Sequence, residues 1–258
     1  LREREPPAPF FPAAFVELQA CAFGREEKDE ELLEELYGLG GELVENQPGF
    51  LPTLATRHPQ ELRLLLDALP ALTDEGCLRN AAFFLGALFH RMRPPLFAAV
   101  EALQALFTAL QRLFDTARSA EARDNCVAAA VKLFLNEAYA PLTAGFLTDE
   151  RVYAGVEFAV PLRGDKSESP YIVRALVVLF QRGFAPRVAA STVVLLFLAE
   201  VTLSAPAEGP EWESAGRAAA KLLRACADSP QLRTVLDSLE PASRAALQGR
   251  LSHPGESA

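Results

Sequence analysis

The sequence predicts an all-helical (all-α) protein built from stacked helix pairs, and three observations support this prediction. Similar stretches recur at a step of 45 residues, Leu and Ala are abundant, and apolar residues recur every three or four positions. Repeats of roughly 40–47 residues are typical of the helix-pair solenoids called HEAT and armadillo repeats. We therefore expect a single α-solenoid of HEAT-type pairs, curved into a superhelical arch, over residues 1–251, followed by a disordered tail at 252–258.

The repeat is centred on the stretch from Asp74 to Met92, which reads DEGCLRNAAFFLGALFHRM. The copy 45 residues later reads ARDNCVAAAVKLF, and the copy 45 residues earlier reads LLEELYGLGGELV. Leu43, Leu88 and Leu133 occupy equivalent positions in the three copies. Because one helix pair cannot bury its apolar face alone, neighbouring copies stack and share a core. These leucines are therefore predicted to be buried.

Proline, glycine and capping residues set the expected helix boundaries. Pro48 and Pro52 are expected in a turn, SAPAEGP at 204–210 in a surface connection, and Gly183 at a helix end. Thr73 and Asp74, Ser119 and Thr148 are expected to cap helix starts. The predicted helices, in chain order, are 11–23, 29–46, 59–70, 74–92, 94–114, 121–136, one starting after Thr148, 171–183, 186–201, 212–227 and two short terminal helices near Leu232 and Ala242.

The net charge of −9 is concentrated in one segment. Residues 26–45 contain nine acidic residues against Lys28 alone, a local charge of −8. Nucleic acid is not an expected partner, because binding to phosphates requires a basic surface. A basic partner is the natural complement of this segment.

Helical geometry predicts a row of polar residues along one surface of the stack. At 100° per residue, Asn80 lies opposite the apolar stripe of its helix, with Phe83 one turn further on. The 45-residue step relates Asn80 to Glu35 and to Asn125, and its next step ends beside Glu168. We expect this row, with Glu31 and Glu34, to line a concave surface that binds an extended basic peptide. Asn would hold the peptide backbone, carboxylates would pair with Lys or Arg, and Phe83 would cover a lysine stem.

Each of these residues also has a structural interpretation. Asn near the start of a packed helix often satisfies backbone groups between repeats. An acidic run often forms a solvated face, and Phe83 is expected to pack against a neighbouring repeat. The glycines of GLGG at 38–41 are expected to permit close helix packing.

Other kinds of site have little support in the sequence. The cysteines, which contain no C-x-x-C pair, are expected to be reduced and buried rather than to bind zinc; they are Cys21, Cys77, Cys126 and Cys226. None of the three histidines belongs to a catalytic or metal-binding motif. No apolar run reaches the length of a membrane span. We therefore expect neither an enzyme nor a cofactor, and no insertion into a membrane.

The order of three motifs resembles a known family. LRNAAFFLGALF, ARDNCVAAAVKLF and AVPLRGDKSESPYIVRALVVLF are similar, over about residues 74–200, to the last HEAT repeats of importin-beta family karyopherins, most of all to the branch called importin four. One departure is the stretch SESPY, where the family tends to have two adjacent acids before an aromatic residue. Glu168 stands alone at that position.

This resemblance implies a nuclear transport receptor that shuttles between cytoplasm and nucleus as a monomer. Its cargo would be basic proteins such as core histones and ribosomal proteins. Ran-GTP would bind N-terminal repeats that are absent here, since the chain opens without Met and is expected to be part of a longer protein. The cargo-facing residues carried over from the resemblance are Glu31, Glu34, Glu35, Asn80, Asn125 and Glu168.

A second hypothesis is a HEAT scaffold that holds folded partner subunits together without recognising basic peptides. The acidic segment favours the transport receptor. The apolar, lightly charged stretch at 170–200 suits the scaffold equally well.

Overall fold

A computed structural model of the chain describes residues 10–23 and 29–252, and every regular element in these ranges is helical. Three-residue 3₁₀ turns occur at Leu69–Ala71 and Lys166–Glu168, and a short π-helical segment at Phe180–Phe184. The α-helices are α1 (Phe10–Phe23), α2 (Glu30–Asn46), α3 (Phe50–Arg57), α4 (Pro59–Ala68), α5 (Glu75–Arg91), α6 (Val100–Thr116), α7 (Ala120–Leu135), α8 (Ala140–Thr143), α9 (Asp149–Ala159), α10 (Ser169–Leu179), α11 (Ala185–Ala190), α12 (Thr192–Glu208), α13 (Pro210–Ala225), α14 (Pro230–Ser238) and α15 (Pro241–Ser252).

The chain divides into two compact units, Leu1–Phe146 and Leu147–Ala258. The sequence predicted a single repeat array across this boundary. The predicted tail begins inside α15, because Ser252 is helical, and residues 253–258 lie outside the described residues.

The first unit is organised around α2, α5 and α7, in which α2 packs against α5 and α5 against α7. These helices are the three copies of the sequence repeat. Leu43, Leu88 and Leu133 are 7%, 0% and 0% exposed, which confirms that they are buried. Asp74 and Ser119 cap α5 and α7, each accepting a hydrogen bond from the backbone N–H three residues on.

Hydrogen bonds from side chains to backbone carbonyls link consecutive copies at both ends of the helices. Near the helix starts, Asn80 Nδ2 donates to Glu34 O at 2.9 Å. Near the ends, Arg91 Nη2 donates to Glu45 O and Asn136 Nδ2 donates to Phe89 O, both at 2.7 Å. Because Arg91 and Asn136 are one repeat apart, the 45-residue step is also a step from one packed helix to the next.

Close packing between α2 and α5 depends on glycine. A Cβ at Gly41 would lie 2.5 Å from two ring atoms of Phe83, and one at Gly40 would lie 3.2 Å from the ring of Phe84. The prediction that the GLGG glycines permit close helix packing is therefore confirmed. The same contact shows that Phe83 packs against the preceding helix.

Three predicted boundaries in the chain were wrong. Pro52 lies in the first turn of α3 rather than in a connection, because proline needs no backbone partner there. The helix expected from Pro94 begins only at Val100, since Phe97 adopts φ 52°, outside the right-handed helical region. The stretch expected as a loop after Ser204 continues α12 to Glu208, where Gly209 at φ 106° ends it.

In the second unit, α13 packs against both α10 and α12. Thr148 caps α9 by accepting a hydrogen bond from Arg151 N, as predicted. Gly183 adopts φ 103° after α10, which is the left-handed conformation expected at that position. The two predicted terminal helices are α14 and α15.

Candidate functional site

The acidic surface of α2 is the main candidate site in the first unit. Asp29 starts the helix by accepting a hydrogen bond from Leu32 N at 3.2 Å, and Glu30 and Glu31 lie in the first turn, where the helix dipole favours negative charge. The apolar side of α2 is buried against its neighbours. Its opposite side exposes a set of carboxylates, Glu31, Glu35 and Glu42. We call this set the acidic face. Three further residues of the charged segment, Glu26, Glu27 and Lys28, lie outside the described residues.

Glu31 and Glu35 are open to a ligand. Both side chains are exposed, and within the described residues neither makes a hydrogen bond or an ion pair. They are one helical turn apart, so their carboxylates lie on the same side of α2. Two adjacent carboxylates without partners attract cations, and this pair is the centre of the acidic face.

Glu34 is held within the protein by Arg79 of α5. Arg79 Nη2 lies 2.7 Å from Glu34 Oε1, and Arg79 Nη1 lies 3.4 Å from Glu121 Oε2 of α7. Gly76 leaves room for the Glu34 carboxylate, since a Cβ there would lie 2.2 Å from Glu34 Oε2. One guanidinium thus bridges carboxylates from the two neighbouring copies of the repeat. A cationic ligand at Glu34 competes with Arg79.

Asn80 is half-buried between α2 and α5. Its Nδ2 donates to Glu34 O at 2.9 Å, and its Oδ1 accepts from Arg79 Nε at 3.2 Å. Both functions of the amide are therefore used inside the protein. The arrangement is the one expected of an Asn that satisfies backbone groups between repeats.

Asn125 lies in the interior, where it is 5% exposed. Its Nδ2 donates to Arg79 O at 3.3 Å, while its Oδ1 has no hydrogen-bond partner among the described residues. Its burial is against the prediction that it contacts a bound peptide. Like Asn80, it lies where the structural interpretation of the sequence places it.

Glu168 belongs to the second unit and is also 5% exposed. It ends the 3₁₀ turn Lys166–Glu168, directly before α10. A carboxylate at this depth does not pair with a peptide at the surface. The predicted row is therefore reduced to Glu31, Glu34 and Glu35 on α2, with Phe83, Asn80 and Asn125 in helix packing.

Sequence reasoning missed an ionic cluster at the other end of α2. His90 Nδ1 lies 3.1 Å from Glu45 Oε1, and Arg91 Nη2 lies 3.5 Å from the same atom. Burial raises the pKa of Glu45, but the hydrogen bond with His90 and the charges of His90, Lys132 and Arg91 outweigh it, so the pKa is lowered from its ordinary value. The 45-residue step from Glu45 to His90 is the sequence signal that could have predicted this pair.

The cysteines are all free thiols within the described residues. Cys77, Cys126 and Cys226 are buried as predicted, and burial raises the pKa of Cys77 and Cys126 to about 12. The prediction for Cys21 was wrong, because Cys21 is exposed on α1. Three of the four thiols are therefore kept in the unreactive protonated form.

In the parts of the chain that the structure describes, no three His, Cys, Asp or Glu residues are placed to bind a metal ion. Over the same ranges no single helix is long and apolar enough to cross a membrane. One bent pair, Lys166–Ala190 with Thr192–Ala205 at 105°, has the length and composition together.

Comparison with known proteins identifies no relative, since no protein-family model and no curated protein matches the chain.

Proposed function

We propose that this chain is part of a nuclear transport receptor of the importin-beta type, which binds basic segments of its cargo and carries out no catalysis. The proposal includes a HEAT-type α-solenoid whose arch presents the acidic face on its concave side. Its cargo class is basic nuclear proteins such as core histones and ribosomal proteins, and it shuttles between cytoplasm and nucleus as a monomer. Ran-GTP binds other repeats of the receptor.

The observation that carries the proposal is the pair of open carboxylates on α2. Glu31 and Glu35 are exposed and have no partner among the described residues, whereas most other acidic side chains of α2 are paired internally. An extended segment rich in lysine supplies the missing cations. The resemblance of residues 74–200 to importin repeats supports the same partner class. The stacking of α2, α5 and α7 at the 45-residue step supports the solenoid.

A binding measurement with a lysine-rich, histone-tail-like peptide tests the proposal. Charge reversal of Glu31, Glu34 and Glu35 together is expected to abolish most of the binding. Wild-type affinity is expected to fall steeply with salt, because exposed charge pairs are screened over ~8–10 Å at physiological ionic strength. The matched control reverses three exposed acidic residues elsewhere, Glu101, Glu137 and Glu240, which changes the net charge by the same amount.

If the control variant loses as much affinity as the α2 variant, the peptide responds only to the overall charge and the acidic face is not a site. If neither variant changes the binding, the proposal fails.

A scaffold that assembles folded subunits is the second candidate, and the internal pairing of charges favours it. Arg79 is already paired with Glu34 and Glu121, and Glu45 is already in contact with His90 and Arg91. A scaffold uses such pairs to fix neighbouring repeats and needs no basic ligand. Two results together would identify a scaffold. The protein would not bind the lysine-rich peptide even at low salt, and it would still bind a folded partner protein.

A further inference from the structure

One guanidinium group in the first unit joins three consecutive copies of the repeat. Arg79 of α5 donates through Nη2 to Glu34 Oε1 of α2 at 2.7 Å, and through Nη1 to Glu121 Oε2 of α7 at 3.4 Å. Its Nε donates to Asn80 Oδ1 at 3.2 Å. Each nitrogen of the guanidinium thus has an acceptor of its own. We call these three acceptors, Glu34, Asn80 and Glu121, the guanidinium site.

The arrangement of these acceptors suits a planar guanidinium better than an ammonium. A guanidinium offers donors on three nitrogens in fixed directions, so it bridges carboxylates from two different helices. An ammonium carries all its protons on one nitrogen and lacks this fork. Gly76 lets the Glu34 carboxylate pack against the backbone of α5, since a Cβ at position 76 would lie 2.2 Å from Glu34 Oε2. The site therefore distinguishes arginine from lysine.

The guanidinium site is within reach of a partner. The side chains of Arg79, Glu34 and Glu121 are 40%, 32% and 50% exposed, so Arg79 can turn into solvent without movement of a helix. Glu34 follows Glu31 by three residues on α2 and is adjacent to Glu35 in sequence. Side chains three residues apart are neighbours on a helix surface. A basic segment bound along the acidic face therefore passes beside the guanidinium site.

We propose that Arg79 is a built-in competitor, which occupies an arginine-binding site until an arginine of the partner's basic segment replaces it. This inference rests on the proposed function, because the segment is the basic ligand of the acidic face. The incoming guanidinium donates to Glu34 and Glu121, so the exchange conserves their charge-assisted hydrogen bonds. Because Arg79 is tethered beside the site, it competes at high effective concentration and lowers the affinity for the partner. A lysine does not reproduce the bridge and leaves Arg79 in place.

Two peptides of equal length and charge test the proposal. One is the lysine-rich, histone-tail-like peptide, and in the other every lysine is replaced by arginine. Arg79→Lys keeps the net charge of the protein but does not fill the three acceptors. It is expected to bind the arginine peptide about tenfold more tightly than the wild type does, because a competitor held by charged hydrogen bonds is weakened. Its affinity for the lysine peptide is expected to stay within about twofold of the wild-type value. No gain for the arginine peptide, or an equal gain for both peptides, overturns the proposal.

A second variant, Arg79→Ala, removes the competitor altogether. Its matched control is Arg63→Ala, which removes the same charge from an exposed pair with Asp67 on α4. Arg79→Ala is expected to bind the arginine peptide at least about tenfold more tightly than Arg63→Ala. The arginine peptide is also expected to raise the melting temperature of Arg79→Ala more than that of the wild type, because it restores the bridge between helices. If Arg79 only fixes neighbouring repeats, Arg79→Ala loses stability and gains no affinity over the control, and the proposal is refuted.

Glu121→Gln separates this inference from the proposed function, because Glu121 lies on α7 and does not belong to the acidic face. Introduced into Arg79→Ala, it is expected to remove most of the gain for the arginine peptide. Introduced into the wild type, it is expected to leave the affinity for the lysine peptide nearly unchanged. Binding of the lysine peptide to the wild type without any gain in the Arg79 variants refutes this inference alone. Absence of binding of both peptides to the wild type and to Arg79→Ala refutes the proposed function as well.

Discussion

Asn80 and Asn125 make the same hydrogen bond one repeat apart. Asn80 Nδ2 donates to the carbonyl oxygen of Glu34, and Asn125 Nδ2 donates to that of Arg79. Both pairs are separated by 46 residues along the chain. The two acceptors are themselves 45 residues apart, as are the two donors. The amides thus form a ladder that joins the backbones of α2, α5 and α7.

The ladder predicts that Asn125→Ala destabilises the protein without weakening the binding of a peptide to the acidic face. Each amide removed leaves a carbonyl without its partner, which is expected to cost about 1 kcal/mol of unfolding free energy. Denaturant unfolding and peptide titration of the same variant measure the two effects. Asn46→Ala is the matched control, because Asn46 donates only to the exposed Glu42 carboxylate. A loss of peptide affinity in Asn125→Ala at unchanged stability would show that the amide serves the ligand.

The shared core predicts a large effect of truncating Leu88. This side chain is 0% exposed at the centre of the α2, α5 and α7 stack. Leu88→Ala is expected to cost roughly 2–5 kcal/mol, since the transfer energy is lost and a cavity remains. Leu64, at 49% exposure on α4, provides the control with the same substitution. Its expected cost stays within about 0.5 kcal/mol. Similar losses in the two variants would contradict the assigned core.

Glycine at position 41 is predicted to be required for the close packing of α5 against α2. A methyl group there meets the Phe83 ring at 2.5 Å, so either the ring or the helix must move. Gly41→Ala is expected to cost about 1–3 kcal/mol through this overpacking. Gly155 lies in α9, where a Cβ added to it would have no atom within 4 Å, so Gly155→Ala is expected to stabilise the protein by about 0.5–1 kcal/mol. Thermal unfolding is expected to show a lower melting temperature for Gly41→Ala and a higher one for Gly155→Ala than for the wild type.

The sequence was a good guide to neighbours along the repeat. Its 45-residue step relates Glu34 to Arg79 and Glu45 to His90, and both pairs are in contact. Apolar periodicity also identified the leucine column correctly. Such features are local or periodic, so they are visible without knowing where other helices lie.

The burial of polar residues could not be predicted from the sequence in the same way. Helical geometry placed Asn125 on the side opposite the apolar stripe, yet that side is covered as well. Burial of a residue depends on every helix packed around it, whereas periodicity reports only one face of its own helix. Glu168 was misplaced for a different reason, since its position came from counting a repeat into a 3₁₀ turn.

Stability is predicted to fall in acid because of Glu45. The folded state lowers the pKa of this carboxyl from its ordinary value of 4.5. A carboxyl with a lowered folded-state pKa stabilises the protein above its unfolded-state value, and this stabilisation is lost as the pH falls through the folded-state value. Unfolding free energies measured between about pH 3 and 6 are expected to fall less steeply in Glu45→Gln than in the wild type. His90→Ala, which removes the hydrogen bond with Glu45, is expected to flatten the profile in the same direction. Identical profiles in all three proteins would show that the cluster contributes nothing.

Substitutions of Glu34 and Glu35 are predicted to have different effects on stability and similar effects on peptide binding. Glu34 is paired with Arg79 at 2.7 Å, whereas the adjacent Glu35 is exposed and has no partner among the described residues. Glu34→Gln is expected to lower the unfolding free energy by about 0.2–1 kcal/mol, which is typical of a partly exposed ion pair. Glu35→Gln is expected to leave it unchanged. Because the two substitutions are chemically identical and adjacent in sequence, each is the control for the other. Both substitutions are expected to weaken the binding of a lysine-rich peptide at low salt. The loss of affinity is expected to be smaller for Glu34→Gln, because Arg79 competes with the ligand for Glu34. A larger affinity loss at Glu34 than at Glu35 would mean that the ligand displaces Arg79 and binds between the helices instead of along the acidic face.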